Sequence, residues 1–346
     1  MEKEKIILDV DTGTDDAVAI IMALLCKEIE VLGICTVNGN VELKLTTDNT
    51  LRVVDCCGKG GQVPVVQGCD LPLVSTLLPW TPQSTGIMTA YTAEDKRIIP
   101  RREGMRTSSM EMHGEHLNLP ETNLKPIQES AVVWLIETLL AAEDHSITLV
   151  PVGPLTNLGL ALRADPRIVS KIKRVVLMGG GYRVNSRTPA AEFNIWADPE
   201  AAEILLQSGC DITFVPLDAT HTAYITLEEA QQLRDIGSKE AIFVADTIAG
   251  RIRGYVNRDK DMSQYCGAPV HDALAVCAIV HPEVLKDVIP FNCHVDISGG
   301  YAYGQTILDR RELKNGEPVN CKFALSADRA LFFTWMKDIL EDAAKG

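Results

Sequence analysis

The stretch LDVDTGTDDAVAI, residues 8–20, joins the end of an apolar run to the start of a helical pattern. It gathers four carboxylates within eight positions, those of Asp9, Asp11, Asp15 and Asp16. Like charges at this spacing repel one another, so we expect a bound cation or a chemical role to compensate them. The apolar run 5–10 is short enough for a buried parallel strand, and the following residues have the periodicity of a helix. The stretch therefore predicts a strand, an acidic turn and a helix.

The same alternation of strand and helix continues along the chain. The predicted strands are 5–10, 29–37, 63–68, 147–153, 174–181 and 211–218, and the predicted helices are 15–27, 41–58, 130–143, 154–163 and 198–209. Such alternation implies βαβ units. From residue 291 the chain becomes β-rich and then closes with a predicted helix, 326–342. The predicted fold class is α/β, with an open, mainly parallel, Rossmann-like sheet, flanking helices and a C-terminal β-rich addition.

Two segments interrupt this alternation. Residues 70–124 contain five prolines and a basic cluster, and we expect a long loop excursion there, which in a compact domain is often functional. Residues 224–265 look mostly helical and polar, and we expect them to form a cap. Residues 1–346 are expected to form a single α/β domain that includes both segments.

Composition and charge narrow the classes of partner. The net charge of −14 argues against a nucleic acid, whose phosphates require a basic surface, and fits a small neutral or cationic substrate or a metal cation. No apolar run reaches the roughly 20 residues of a membrane span, and the N-terminus lacks the apolar stretch of a signal peptide. The ten cysteines are scattered, and we expect reduced thiols and a cytoplasmic protein.

Polar residues follow several predicted strands, where the ligand site of an open α/β sheet lies. Asn38 and Asn40 follow the second strand, and a His-Asp pair, His271 and Asp272, opens a later helix. A hard cation such as calcium, which takes oxygen ligands, would explain the acidic cluster. It would also lower the pKa of a bound water, whose proton a carboxylate can accept.

Six motifs occur in the order found in one known family: DVDTGTDDA, VNGN, VPVGPLTN, VVLMGGGY, AEFNIWADPEAA and VHDALAV, between residues 6 and 276. The chain thereby resembles the nucleoside hydrolases of the inosine–uridine-preferring type. The resemblance implies a calcium-dependent enzyme with an open α/β fold that cleaves the N-glycosidic bond of ribonucleosides into free base and ribose. It also implies a role in nucleoside salvage and a homodimer or homotetramer.

The resemblance assigns roles residue by residue. The implied calcium ligands are Asp11, Asp16, the backbone carbonyl of Val152, and Asp272. Asp11 matches the proposed base on the attacking water, and His271 matches the histidine proposed to protonate the departing base. The implied substrate contacts are Asp15, Asn40, His113, Met178, Asn185, Glu192 and Asn194.

The chain also departs from the family pattern. Thr12 stands where many members have proline, and the segment 74–112, expected on the base side, is longer than usual. The base-side residues near 255–265 do not align securely, and the candidates there are Tyr255, Arg258 and Tyr265. His221 is expected to be structural.

Two other functions remain open at the level of sequence. DVDTGT loosely resembles the start of haloacid-dehalogenase-type phosphatases, which would make Asp9 a nucleophile that works with magnesium. That interpretation leaves Asp272, Glu192 and Asn194 unexplained. The second is a non-catalytic nucleoside-binding protein on the same fold, against which the full set of acidic and polar site residues argues.

Overall fold

The computed structural model describes residues 3–77, 116–256, 259–311 and 316–345. Nine strands of these residues form one sheet in the order β10-β9-β11-β6-β5-β4-β1-β2-β3, and a small antiparallel pair, β7 and β8, lies apart from it. The strands are β1 (Glu4–Val10), β2 (Ile29–Thr36), β3 (Val65–Gln67), β4 (Ile147–Pro151), β5 (Ile172–Met178), β6 (Ile212–Val215), β7 (Tyr224–Thr226), β8 (Gly267–Pro269), β9 (Leu285–Val295), β10 (Thr306–Asp309) and β11 (Cys321–Ala327).

Helices connect and cover these strands, as the alternating pattern predicts. The α-helices of the described residues are α1 (Thr14–Leu25), α2 (Leu43–Cys56), α3 (Ala131–Ala141), α4 (Thr156–Ala164), α5 (Phe193–Ala197), α6 (Pro199–Leu206), α7 (Leu217–Thr220), α8 (Leu227–Arg234), α9 (Lys239–Val256), α10 (Lys260–Tyr265), α11 (His271–Val280) and α12 (Arg329–Ala344). The predicted α/β class and mainly parallel sheet are confirmed.

The strand β1 lies inside the sheet, paired in parallel with β2 on one side and β4 on the other. Its side chains alternate between the two faces. Ile6 and Leu8 belong to one apolar cluster and Ile7 to the cluster on the opposite face, and all three are buried. Burial on both faces explains why this strand is a continuous apolar run rather than an alternating one.

The order of the strands creates a crevice at one edge of the sheet. From β1 the chain builds outward through β2 to β3, whereas β4, β5 and β6 extend in the opposite direction. The connections that follow β1 and β4 therefore run over opposite faces of the sheet. This position is a topological switch point, where ligands bind in open α/β sheets. Asp9 of β1 pairs with Pro151 of β4, so the turns at Asp11 and at Val152 lie side by side there.

The C-terminal strands extend the main sheet rather than forming a separate layer. Strand β11 lies between β9 and β6, antiparallel to the first and parallel to the second. The segment 224–265 is mainly helical, as predicted, but begins with β7, which pairs with β8. The predicted strand 211–218 ends at Val215, because residues 217–220 form a helical turn after Pro216. Residues 78–115 of the predicted excursion lie outside the described residues.

All ten cysteines are free thiols, as the sequence indicates. Within the described ranges, no helix combines the length and the apolar character needed to cross a bilayer.

Candidate active site

Three buried carboxylates meet at the switch point between β1 and β4. Asp15 and Asp16 stand in the first turn of α1, and Asp272 stands in the first turn of α11, which packs against α1. One carboxylate oxygen from each lies within 4.8 Å of the other two. The positive ends of two helix dipoles thus point toward the negative charges, which lowers the cost of placing them together. Sequence positions 15 and 272 come together only because the two helices pack.

Asp11 lies beside this cluster and is held by backbone on two sides. Its Oδ2 accepts a hydrogen bond from the backbone N–H of Asn40 at 2.6 Å, and its own N–H donates to Asp16 Oδ1 at 3.1 Å. A Cβ atom built on Gly39 would lie 2.1 Å from Asp11 Oδ2, and one on Gly153 would lie 2.8 Å from Asp11 Oδ1. Both glycines are therefore required for the carboxylate to occupy this place.

Burial and mutual repulsion disfavour the ionised forms of these carboxylates. Burial raises the pKa of Asp11 and of Asp272 well above the usual range, and repulsion by neighbouring carboxylates adds to it. Burial and then the charge of Asp15 raise the pKa of Asp16 to about 6. A cation among them would relieve both effects, since an opposite charge favours the ionised form. The donors are all oxygen atoms, and this buried cluster could therefore hold a hard metal ion.

A cavity of about 300 Å³ opens from the acidic cluster. One wall is built by α5 and the turn that precedes it. Glu192 is the N-cap of α5 and accepts hydrogen bonds from the N–H groups of Asn194 and Ile195, and from Gly180 at 3.0 Å. Burial raises the pKa of Glu192 to about 7. The wall thus presents a carboxylate held rigid by backbone donors.

Asn194 links this wall to the carboxyl end of β4. Its Nδ2 donates to the carbonyl oxygen of Val152 at 2.7 Å and to that of Met178 at 3.1 Å. These bonds orient the amide, so that its oxygen is the remaining acceptor. Residues far apart in sequence are thereby fixed against one another at the cavity.

The opposite end of the cavity carries aromatic rings. His271 is buried, with Nε2 at 2.8 Å from the Tyr255 hydroxyl and Nδ1 at 2.8 Å from Thr220 Oγ1. His221 stands edge-on to the His271 ring, with centroids 5.7 Å apart. Burial lowers the pKa of His221, so its ring is neutral near pH 7. This end therefore supplies hydroxyl and imidazole groups that can donate or accept a proton.

The structure brings most of the predicted site residues to this one cavity. Those that line it are Asp15, Asn40, Val152, Met178, Asn185, Glu192, Asn194, His271 and Asp272. Asp11 and Asp16 are in contact with Asn40 directly behind the lining. His113 and Arg258 lie outside the described residues. Of the two other base-side candidates, Tyr255 lines the cavity, whereas Tyr265 is exposed and stacks on Tyr224.

Among the other residues that line the cavity, His221 and Arg251 carry ionisable groups that the sequence does not single out for the site. His221 follows β6 just after its carboxyl end, so the rule that ligand sites lie at strand ends would have found it. Arg251 lies inside the long helix α9, where no sequence signal distinguishes it from a solvated arginine. It is nevertheless buried and ion-paired with Asp15.

Residues 6–334 match the family model described as inosine-uridine preferring nucleoside hydrolase. The chain belongs to this family. It is 36% identical over 345 residues to the inosine-uridine preferring nucleoside hydrolase of Leishmania major, a match that covers 97% of each chain. It is 33% identical over 355 residues to the pyrimidine-specific ribonucleoside hydrolase RihB of Escherichia coli, covering 100% of this chain and 98% of the relative.

Solved structures of nucleoside hydrolases share the fold. The purine-preferring ribonucleoside hydrolase from Gardnerella vaginalis superposes with a TM-score of 0.82 at 30% identity, over 99% of each chain. The plant nucleoside hydrolase PpNRh1 gives a TM-score of 0.80 at 25% identity, over 98% of this chain and 99% of the other. These relatives are named for different base preferences, so the likeness fixes the bond that is cleaved but not the preferred base.

This nucleoside hydrolase is therefore an enzyme that hydrolyses the N-glycosidic bond of ribonucleosides. The phosphatase interpretation of DVDTGT is not supported. Asp9, its required nucleophile, is buried, and its Oδ1 accepts a hydrogen bond from Asn157 Nδ2 at 2.8 Å. The side chain is engaged in holding β1 against the start of α4.

We predict that Gly39→Ala lowers kcat/KM by about 100-fold, because a displacement of about 1 Å at a reacting group has an effect of this size. The new methyl group would occupy the place of Asp11 Oδ2. The matched control is Gly250→Ala, whose Cβ would have its nearest neighbour, Arg253 Nη2, at 3.6 Å. Steady-state kinetics and circular dichroism would measure both variants. Full activity of a folded Gly39→Ala enzyme would contradict the requirement for Asp11 in this position.

Proposed function

We propose that this protein is a calcium-dependent ribonucleoside N-ribohydrolase in which Asp11 activates the attacking water. The observation that carries the proposal is the buried cluster of Asp15, Asp16 and Asp272 beside a cavity lined by Glu192 and Asn194. Acidic groups that can stabilise positive charge and groups that can donate a proton then line the same cavity. That is the arrangement that cleavage of a sugar–base bond requires.

The ligands we propose for the ion are Asp11, Asp16, Asp272 and the carbonyl oxygen of Val152. Calcium is the expected ion because it accepts six to eight oxygen ligands in irregular geometry, including carbonyl groups and water. When bound, the ion supplies a positive charge that makes a neighbouring water more acidic. The raised pKa values of Asp11 and Asp272 support the proposal, because burial and the neighbouring carboxylates disfavour their ionised forms and a cation would favour them.

Asp11 is the proposed proton acceptor. Its carboxylate is pinned by Asn40, Gly39 and Gly153, so it has little freedom to turn away from an attacking water. A base held in one orientation loses little entropy when it reacts.

The groups around the sugar are proposed to hold its hydroxyls and to stabilise the charge that develops on it. Asp15, Asn40, Glu192 and Asn194 offer acceptor oxygens, Asn185 lies at the same wall, and Met178 packs as an apolar surface. Breaking the bond to the base leaves positive charge on the ribose, and acceptors fixed in advance stabilise that charge. They also reject sugars that lack the hydroxyls.

His271 is the proposed acid for the departing base. Its Nε2 and the Tyr255 hydroxyl are within hydrogen-bond distance, so the two side chains form one proton-donating unit at the far end of the cavity. Thr220 holds the other ring nitrogen and fixes the plane of the imidazole. The departing base would thus lie beside a proton donor whose orientation is fixed.

We also propose that residues 1–346 form one domain, because one sheet contains strands from both the first and the last parts of the chain. The family resemblance supports a cytoplasmic homodimer or homotetramer. It also supports a role in nucleoside salvage.

Calcium removal gives the first test. The purified protein should contain about one divalent ion per chain. Chelation should abolish turnover and lower the thermal midpoint, because binding to the folded state alone contributes about 2.7 kcal/mol at 100 times Kd. Asp272→Asn should weaken calcium binding, while Asp144→Asn, at an exposed position, should not. Full activity in excess chelator would exclude the metal.

Asp11→Asn tests the proposed base. The isosteric amide keeps an acceptor for Asn40 but no longer accepts a proton, so we expect kcat to fall by about 10²–10⁴-fold with the fold intact. Asp9→Asn is the matched control, since Asp9 is also buried and lies two residues before Asp11, near the end of β1. It should retain most turnover. A large loss for Asp9→Asn with little loss for Asp11→Asn would reverse the assignment.

His271→Ala should damage inosine hydrolysis more than uridine hydrolysis. A purine can accept a proton at N7 as it leaves, whereas a uracil anion is a better leaving group and needs less help. We expect a loss of about 10²–10⁴-fold in kcat for inosine. His281→Ala, at the end of the same helix, is the control. Equal, small losses on both substrates would remove His271 from this role.

A further inference from the structure

A buried arginine, Arg251, faces the acidic cluster from inside the protein. Arg251 of α9 has a side chain that is only 1% exposed, and it lines the cavity together with Asp15 and Asp272. Arginine remains protonated in proteins, so this position brings a permanent positive charge into a site that is otherwise strongly negative. Burial of a charge is costly unless it is paired, so the partners of this guanidinium decide what it does.

The guanidinium is fixed by three acceptors from two parts of the chain. Its Nη1 lies 2.9 Å from Asp15 Oδ1 and donates to Thr14 Oγ1 at 2.8 Å, and its Nε donates to the carbonyl oxygen of Pro269 at 3.1 Å. Its plane approaches the Tyr255 ring, with 5.7 Å between the guanidinium carbon and the ring centroid. Because Thr14 and Pro269 fix the guanidinium, it stays in place, and its ion pair holds the Asp15 carboxylate in one orientation.

The Asp15 carboxylate could interact with either of two partners, a metal ion in the acidic cluster or a sugar in the cavity. One of its oxygens lies within 4.8 Å of carboxylate oxygens of Asp16 and Asp272, close enough to share a metal ion with them. The same carboxylate lines the cavity where a sugar would lie. An unrestrained carboxylate beside a divalent cation would turn toward it, because that attraction exceeds a hydrogen bond to a neutral hydroxyl.

We propose that Arg251 is a positioning residue that reserves Asp15 for the ribose hydroxyls and keeps it from becoming a further metal ligand. The inference rests on the function proposed above. The ion pair engages Oδ1 of Asp15 and holds the carboxylate in the cavity wall, where a sugar would lie. The guanidinium also offsets part of the negative charge of the cluster, so the site binds its cation without using Asp15 as a ligand.

The proposal predicts opposite changes in the affinity for calcium and in the affinity for uridine. In Arg251→Gln, a positive charge near the cluster is lost and Asp15 is released, so we expect calcium to bind at least about threefold more tightly. The KM for uridine should rise at least about tenfold, the size expected for a lost hydrogen bond to a charged group. The preference in kcat/KM for uridine over 2′-deoxyuridine and 3′-deoxyuridine should shrink. A residue that merely supported the fold would weaken both affinities together.

The experiment uses the full chain, stripped of metal with chelator. Isothermal titration with calcium at pH 8 gives the ion affinity, and steady-state kinetics with saturating calcium give KM and the deoxynucleoside ratios. Arg253→Gln is the matched control, because it removes the same charge from an exposed position of the same helix. It should leave calcium affinity and KM within about twofold, since exposed charges are screened.

Arg251→Lys separates charge from geometry and serves if Arg251→Gln does not fold. Lysine keeps the charge but not the planar fork, so calcium affinity should stay within about twofold while KM still rises. Wild-type KM and deoxynucleoside ratios in either Arg251 variant would overturn the proposal. So would a joint loss of calcium and uridine affinity. If the wild-type enzyme hydrolyses no ribonucleoside, the proposed function fails, and the direction of the calcium shift in Arg251→Gln still decides whether Arg251 acts on the cluster.

Discussion

The site is governed by the cost of holding several carboxylates together away from water. Burial alone raises the pKa of Asp11 and Asp272, and each carboxylate then makes ionisation of the next one harder. Every local feature of this region offsets that cost. Two helix N-termini point at the cluster, backbone N–H groups bond to the acids, and one buried guanidinium faces them. The cluster could hold a metal ion, which would complete the compensation that these protein groups begin.

The sheet provides the place where this compensation is possible. At the switch point between β1 and β4, the turns that follow the two strands separate to opposite faces and leave room between them. The backbone there approaches the acids closely, and Gly39 and Gly153 permit that approach because they lack a Cβ. The acidic site therefore depends on the fold. The carboxylates come together in the crevice, and the crevice lies where the order of the strands reverses.

The cavity separates two kinds of chemistry. Its inner end is acidic and fixed by backbone donors, which suits a sugar that gains positive charge. Its outer end joins His271, Tyr255 and His221, which suits a base that gains a proton. Helix α9 supplies both Tyr255 and Arg251 to the cavity, where the guanidinium carbon lies 5.7 Å from the centroid of the Tyr255 ring.

The sequence by itself determined the α/β class, the family and most of the cavity lining, because each of these leaves a local pattern. Apolar runs of strand length mark β1 and β4, and acids or amides directly after them mark the edge where ligands bind. The sequence singles out Asp272 in the His-Asp pair that opens a helix, although 256 positions separate it from Asp16. The tertiary structure alone decided that Asp15 joins the cluster and that Arg251 pairs with it. An arginine inside an amphipathic helix has the same local pattern whether it faces solvent or a buried acid. Only the packing of α9 against α1 makes the difference, because it excludes the water that would otherwise solvate the charge.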